Sequence, residues 1–366
     1  MTLVALVLTQ LGWADEPEVN IELGAALTEA KKPVWEAKGA ALDLFLQADT
    51  AFRGKSWVAA ANGMIDVMEA QPGCGKAAYK LAWALSEKDE HEDAGTVVDA
   101  TFAWFPESKD VLLRGAQIHV RGKSAKQAAV MTDVLRARWP ADYLGWTWAI
   151  RSAQSVRDLP AATAVLEDAR TKVAVAADVA CFSVMVAALS GDAALGTKEW
   201  TACQESETTG LRRLAEGNLA LTTGDWLTVQ KYAVDLDAPK LVRLALVLQR
   251  LEEGNSKGAM VLVDKLAEED ASAFDVAVVR ARAHHAAGDK DGTLAALSAI
   301  FAPDWNQNWA GRDTLVWSRG PGWLTEHWVE AVKLNYEVLT AAGRVEDAKK
   351  VMALAMTTWP DAGLKP

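Results

Sequence analysis

Apolar and small residues recur along this chain at the spacing of one helical face, with polar residues filling the positions between. From Lys109 to Pro140 the apolar side reads Leu112, Ala116 and His119, then, beyond a Gly-Lys turn, Ala128, Val134 and Leu135. A rhythm of three to four residues predicts two amphipathic helices joined by that turn. Pro140 closes the second helix, because proline has no amide hydrogen with which to continue it. Near the end of the chain Trp328, Val332, Tyr336 and Leu339 repeat the spacing, which predicts a further helix with Trp328 in its core face.

The two-helix pattern returns at a fixed distance. Pro72, Pro106 and Pro140 stand 34 residues apart. Ala60, Ala94, Ala128 and Ala162 share the offset in the second helix of each pair, and Ala48, Ala82 and Ala116 share it in the first. Small residues at a constant interval mark places where two helices touch, and such self-similarity is the signature of a repeat array. Twice the interval separates two copies of Arg-Gly-Lys-Ser, at 53–56 and 121–124. Ser56 and Ser124 fall where a second helix begins, so their hydroxyls are expected to accept from its unpaired amides. Later pairs shift by a few residues, turning at Gly224-Asp225, Gly254-Asn255, Gly288-Asp289 and Gly343-Arg344, and Val329 to Pro360 recovers the pattern.

This unit resembles the tetratricopeptide repeat, which places small residues at its eighth and twentieth positions and proline at its thirty-second. The resemblance covers about residues 41 to 360 and implies an all-α fold, a right-handed superhelical solenoid of about nine helix pairs. It divides the chain into repeats one to eight at 41–301, a tryptophan-rich insertion at 302–328, a final repeat at 329–360 and a tail at 361–366, preceded by an arm and capping helix at 15–40. Departures occur where Ile150, Val184 and Val247 fill the eighth position, Gly196 replaces alanine, and Ala174 and Thr208 replace proline.

The resemblance further implies a concave groove that binds an extended peptide or a helix. Its inward positions hold Phe45, Asp49, Phe52 and Arg53, then Tyr79 and Trp83, then Leu113, Gln117 and Arg121, then Thr147 and Arg151. Phe45, Tyr79, Trp83, Gln117 and Arg151 are the candidate partner-binding residues among them. Farther on the same positions hold Met185, Leu214, Leu221, Leu241, Leu244, Leu248 and Leu251, an apolar set expected to be covered by the array itself or by a partner. Family members that clamp a terminal carboxylate carry Lys and Asn early in the first unit, Asn in the second, and Lys with Arg in the third. Phe45, Asp49, Lys80, Asp110 and Arg114 stand there instead. Only Arg114 matches, so that activity does not carry over.

Composition narrows the function. With 38 basic against 49 acidic residues the formal charge is -11, which opposes nucleic-acid binding because phosphate contacts depend on lysine and arginine. No apolar run approaches the roughly 20 residues of a membrane-spanning helix. Residues 1–14 carry an apolar stretch ending in Gly12-Trp13-Ala14 and read as an export signal, placing the protein in the periplasm or outside the cell. If that segment is not cleaved, it reads as an apolar helix capping the solenoid of a cytoplasmic protein. Three cysteines cannot all pair. Cys74, between two glycines, is expected to be the exposed thiol, while Cys181 and Cys203 fall on the two helices of one repeat and read as small apolar packing, with a disulfide as the alternative.

Catalytic and cofactor signals are weak. Residues 70–77 resemble a phosphate-binding loop but lack the Ser or Thr for magnesium and follow a helix where such a loop needs a strand. His284 and His285 are adjacent and point to different sides of one helix, so they do not chelate one metal. The expectation is a non-catalytic scaffold without metal or cofactor, binding a protein or peptide partner in a bacterial cell-envelope assembly. The alternative is a glycan-binding accessory protein in which Trp305, Trp309 and Trp317 of the insertion stack on sugar rings.

Overall fold

The computed structural model describes residues 27, 32–237, 239–269, 273–301, 320–358, 360 and 363–365. Among these the regular structure is nineteen helices in succession and no strand, only an isolated bridge between Val34 and Cys74. The chain forms two compact units, Met1–Val156 and Arg157–Pro366.

In the first unit α1 (Ala40–Arg53) and α2 (Trp57–Ala70), α3 (Gly75–Glu87) and α4 (His91–Trp104), and α5 (Lys109–Arg121) and α6 (Ala125–Arg138) form three antiparallel hairpins, and α7 (Tyr143–Ser155) packs on α5 and α6. The first helices of successive pairs also touch one another. Ala60, Ala82, Ala94, Ala116 and Ala128 are fully buried, as the 34-residue spacing of small residues requires. A β-carbon placed on Gly63 would stand 2.7 Å from that of Ala48, which measures how closely α1 and α2 approach. Met64, Met68, Leu81, Leu85, Leu112, Ile118, Met131 and Leu135 fill the space between pairs.

The turns inside the hairpins share one conformation. The residue before the second helix is left-handed: Lys55, Asp89 and Lys123 in the first unit, and Gly191, Gly224, Gly254, Gly288 and Gly343 in the second. Only glycine adopts this region without a steric cost, so Lys55, Asp89 and Lys123, and Arg157 before α8, carry mild strain that the glycine turns avoid. The residue that follows is the N-cap. Ser56 and Ser124 hold that position, but neither hydroxyl accepts from its helix, contrary to expectation. In the second unit Asp192, Asp225 and Asp289 do cap, accepting from Leu195, Thr228 and Gly292.

The second unit opens with α8 (Leu159–Lys172) and continues as five pairs. These are α9 (Ala176–Leu189) with α10 (Ala193–Cys203), then α11 (Thr209–Thr223) with α12 (Trp226–Lys231) and α13 (Ala233–Leu236). Next come α14 (Pro239–Glu252) with α15 (Ser256–Glu269), α16 (Phe274–Ala286) with α17 (Lys290–Ile300), and α18 (Gly320–Ala341) with α19 (Val345–Thr358). The chain is therefore an all-α tetratricopeptide-like array. Met185, Leu214, Leu221, Leu241, Leu244 and Leu248 are buried within this unit, so the unit itself covers that apolar set. α18 starts at Gly320, inside the segment read as an insertion, and residues 302–319 lie outside the described ones. Trp328 is a core residue of α18, stacked on Phe274 at 4.6 Å.

The cysteines differ from expectation. Cys181 and Cys203 form a disulfide joining α9 to α10, because facing helices bring their α-carbons to 4.7 Å. Cys74 is fully buried, and burial pushes its thiol above the ordinary value. It is not a reactive surface thiol.

Ala128→Leu should cost on the order of 1–3 kcal/mol by overpacking the α5–α6 contact, read from urea unfolding. Cys181→Ser with Cys203→Ser should destabilise the chain by about 3 kcal/mol, measured as the difference in urea midpoint from the oxidised protein, since the 22-residue closure no longer restrains the unfolded state.

Candidate functional site

One face of the first unit collects most of the exposed chemistry. α1, α3 and α5 lie side by side, and residues one helical turn apart on each meet their counterparts on the next. Phe52 of α1 stands edge-on to Trp83 of α3 at 5.1 Å, and Trp83 is edge-on to Tyr79 at 6.2 Å. Trp57, at the start of α2, joins the file against Phe52 at 5.5 Å. These rings are only partly buried, Phe52, Trp57 and Tyr79 packing against the core.

Cations lie over the rings. The Arg114 guanidinium of α5 is 3.3 Å from the centroid of Trp83, and one of its terminal nitrogens donates to Gln117 Oε1 at 2.5 Å. Lys80 stands 4.6 Å from the ring of Phe52 while pairing with Asp49. Ring faces are electron-rich, so each ring attracts the cation over it in addition to that cation's polar partner, Gln117 for Arg114 and Asp49 for Lys80. Burial pushes the Arg114 guanidinium below its ordinary value, an effect opposed by the neighbouring Tyr79. Burial also pushes the Asp49 carboxyl up, but Lys80 and Arg53 more than offset this and hold it below the ordinary carboxylate value. Glu87 accepts from the Trp83 indole at 3.1 Å and from Arg121 at 3.0 Å, tying α3 to α5.

Tyr79, Trp83 and Gln117 thus converge, as their positions in successive first helices predict. Phe45 does not join them: it is 5% exposed and lies in the core beneath Lys76 and Lys80. Arg151 is also buried, 7% exposed, with its guanidinium 4.5 Å from the ring of Trp148. Both positions face inward on their helices, but neighbouring side chains close over them. Trp305, Trp309 and Trp317 lie outside the described residues. Spacing alone does not single out Arg114 as the centre of the face. Its signals are that it alone matches the carboxylate-clamp positions of the resemblance and that it sits three residues before Gln117, on the same side of α5.

Two histidines are packing residues. His119 is buried and bonds Asp99 at 2.8 Å, and His284 is buried with its ring nitrogens 2.9 Å from Asp264 and 2.7 Å from Asp289. In each case a carboxylate on a second helix reaches an imidazole twenty residues on, in the first helix of the next pair, so the contact ties neighbouring repeats. Among the described residues no group of three or more His, Cys, Asp or Glu side chains is placed to hold a metal ion, and no helix is long and apolar enough to cross a membrane. Residues 70–77 run from α2 into α3 with no strand, and Gly75 is the first residue of α3.

No family model matches the chain, and no curated protein matches it. Among solved structures it is similar to a tetratricopeptide repeat protein from Parabacteroides merdae ATCC 43184, at 10% identity and a TM-score of 0.37, with 86% of this chain and 98% of that chain covered. The tetratricopeptide-like fold stands on the chain's own hairpins and its 34-residue interval.

Acid should loosen the repeat contacts around His284. Burial pushes Asp264 up, yet His284 and Arg280 hold it below the ordinary value, and the Gly292 amide with His284 does the same for Asp289. Carboxylates with lowered values contribute stability that is complete above the ordinary value of 3.8 and is lost as the pH falls through the lowered one. Asp264→Asn should therefore flatten the acid limb of a Tm-against-pH curve, and at neutral pH it should cost about 1 kcal/mol, discounted for the partial exposure of Asp264.

Proposed function

We propose that this protein is a non-catalytic scaffold that binds a partner peptide or helix on the face of its first unit formed by Phe52, Tyr79, Trp83, Arg114 and Gln117. One observation carries the reading: a half-exposed aromatic file crosses two successive repeats, with Arg114 stacked on its central ring. Tryptophan, tyrosine and arginine are the residue types that concentrate binding energy at protein interfaces. Their contacts with one another hold them in place before any partner arrives, which lowers the side-chain ordering that opposes binding. Nothing on this face supplies a nucleophile paired with a base, as a reaction would need.

The chain is further proposed to act in the bacterial cell envelope. The Cys181–Cys203 disulfide supports this, since such bonds persist in oxidising compartments and are reduced in the cytosol. The apolar segment at 1–14, outside the described residues, reads the same way as an export signal.

A photo-activated cross-linking residue at position 117 should capture a discrete partner in cells, and the same residue at Val130, an exposed site on α6, should capture none. Equal capture from both, or capture from 130 alone, would refute the site. Combining the cross-linker at 117 with Trp83→Ala should abolish the adduct while the circular dichroism of the chain keeps its helical amplitude.

A further inference from the structure

Residues 32–39 form a strap across the turn between α2 and α3, bridged at Val34 and bent at Trp35 and Glu36. Its side chains alternate, with Pro33, Trp35 and Ala37 turned inward and Lys32, Val34, Glu36 and Lys38 exposed. Period-two burial is what an extended segment shows when it lies in a seat shaped for it. Gly39, left-handed with φ of 57°, then swings the chain into α1.

The seat recognises this segment along its length. Val34 donates to Gly73 O at 3.0 Å, and the Gly75 and Lys76 amides donate to Val34 O and Trp35 O, each at 2.9 Å. Gln71 pairs with the main chain of the strap in both senses, donating to Glu36 O at 3.0 Å and accepting from the Lys38 amide at 2.8 Å. Lys76 pairs with Glu36 at 3.2 Å. The Trp35 ring meets Phe105 edge-on at 5.3 Å and Tyr79 at 6.1 Å. Its slot exists because position 75 is glycine: a β-carbon there would stand 2.7 Å from Trp35 and 2.3 Å from Phe105.

The next repeats of the unit are built differently. One interval on, Lys109 replaces Gly75 and its ammonium stands 5.8 Å from the ring of Trp139, the counterpart of Phe105. There α5 is capped by its own Ser108, and α7 by its own Asp142. Cys74 supplies no such cap to α3, so the first amides of α3 find their acceptors in the strap. Main-chain pairing combined with a pocket for one inward side chain is how extended peptides are read by proteins.

We infer that the α2–α3 turn is a peptide-recognition site, occupied in the resting chain by residues 32–38, that accepts in trans an extended peptide bearing a tryptophan followed by a carboxylate. This site adjoins the α1–α3–α5 face at Tyr79, which the Trp35 ring touches, but the inference does not rest on the scaffold reading. Because the strap is tethered directly to α1, its effective concentration at the seat is on the order of millimolar or higher, and it excludes a free peptide until it is weakened.

The probe is a fluorescein-labelled peptide with the sequence of residues 32–39, read by fluorescence anisotropy against the full chain, with a scrambled peptide as control. Trp35→Ala should bind the probe at least about tenfold more tightly than the unaltered chain, because the tethered competitor is lost. Adding Gln71→Ala should reverse that gain with helix content unchanged. If Trp35→Ala loses helix, Val34→Pro, which removes the amide that donates to Gly73 and fixes φ at that position, is read in the same way. Absence of probe binding to a folded strap variant, equal binding of the scrambled peptide, or loss of helix in both variants would overturn the inference.

Discussion

Every helix pair in this chain has two apolar flanks, and its own hairpin contact covers only part of either. Burial must therefore be completed by the neighbouring pair, and the fold within each unit follows from that need. It explains why small residues recur at a constant interval. Ala60, Ala94 and Ala128 let the two helices of a pair come close enough for the larger residues, Met64, Leu81 and Leu112 among them, to interlock between pairs. It also explains why two buried histidines at pair boundaries have carboxylate partners. His119 with Asp99, and His284 with Asp264, reach from one pair to the next where an unpaired imidazole or carboxylate would be costly to bury.

The same constraint places the chemistry. Side chains at the contacts within and between pairs are taken up by packing, and the first helices keep one face that is only partly covered. In the first unit that face is aromatic, and its rings carry the chain's own cations. Arg114 over Trp83 and Lys80 over Phe52 turn rings that would be bare anchors into supports for charge. The face thus carries cations beside its rings, in a chain whose overall charge is negative. In the second unit the corresponding positions are leucines already covered by their neighbours.

An array also has ends, and the first described pair shows how one end is treated. α3 begins without a capping side chain, and a segment from before the repeats supplies the missing acceptors. The glycine that makes a phosphate-binding loop seem plausible at 70–77 is instead the floor of the tryptophan slot. The missing Ser or Thr and the preceding helix already argue against a phosphate loop, and Trp35 above Gly75 gives the glycine its place.

The amino-acid sequence by itself determined the class of fold, the helix pairs and their interval, because these depend on local periodicity and on residues spaced within one repeat. It also identified Tyr79, Trp83 and Gln117 as neighbours, since equivalent positions in successive repeats must adjoin. Tertiary structure decided what depends on contacts between residues far apart or on exact separation. Phe45 and Arg151 face inward like the others but are closed over by neighbouring side chains, and burial is a property of the assembled surface. Cys74 is buried for the same reason, under a strap whose course no repeat pattern predicts. The Cys181–Cys203 bond required two helices to hold their backbones at a particular distance, which a 34-residue period does not specify. Arg114 became the centre of the candidate face only when α5 was laid against α3, because stacking on Trp83 is a matter of where two helices cross and not of what either contains.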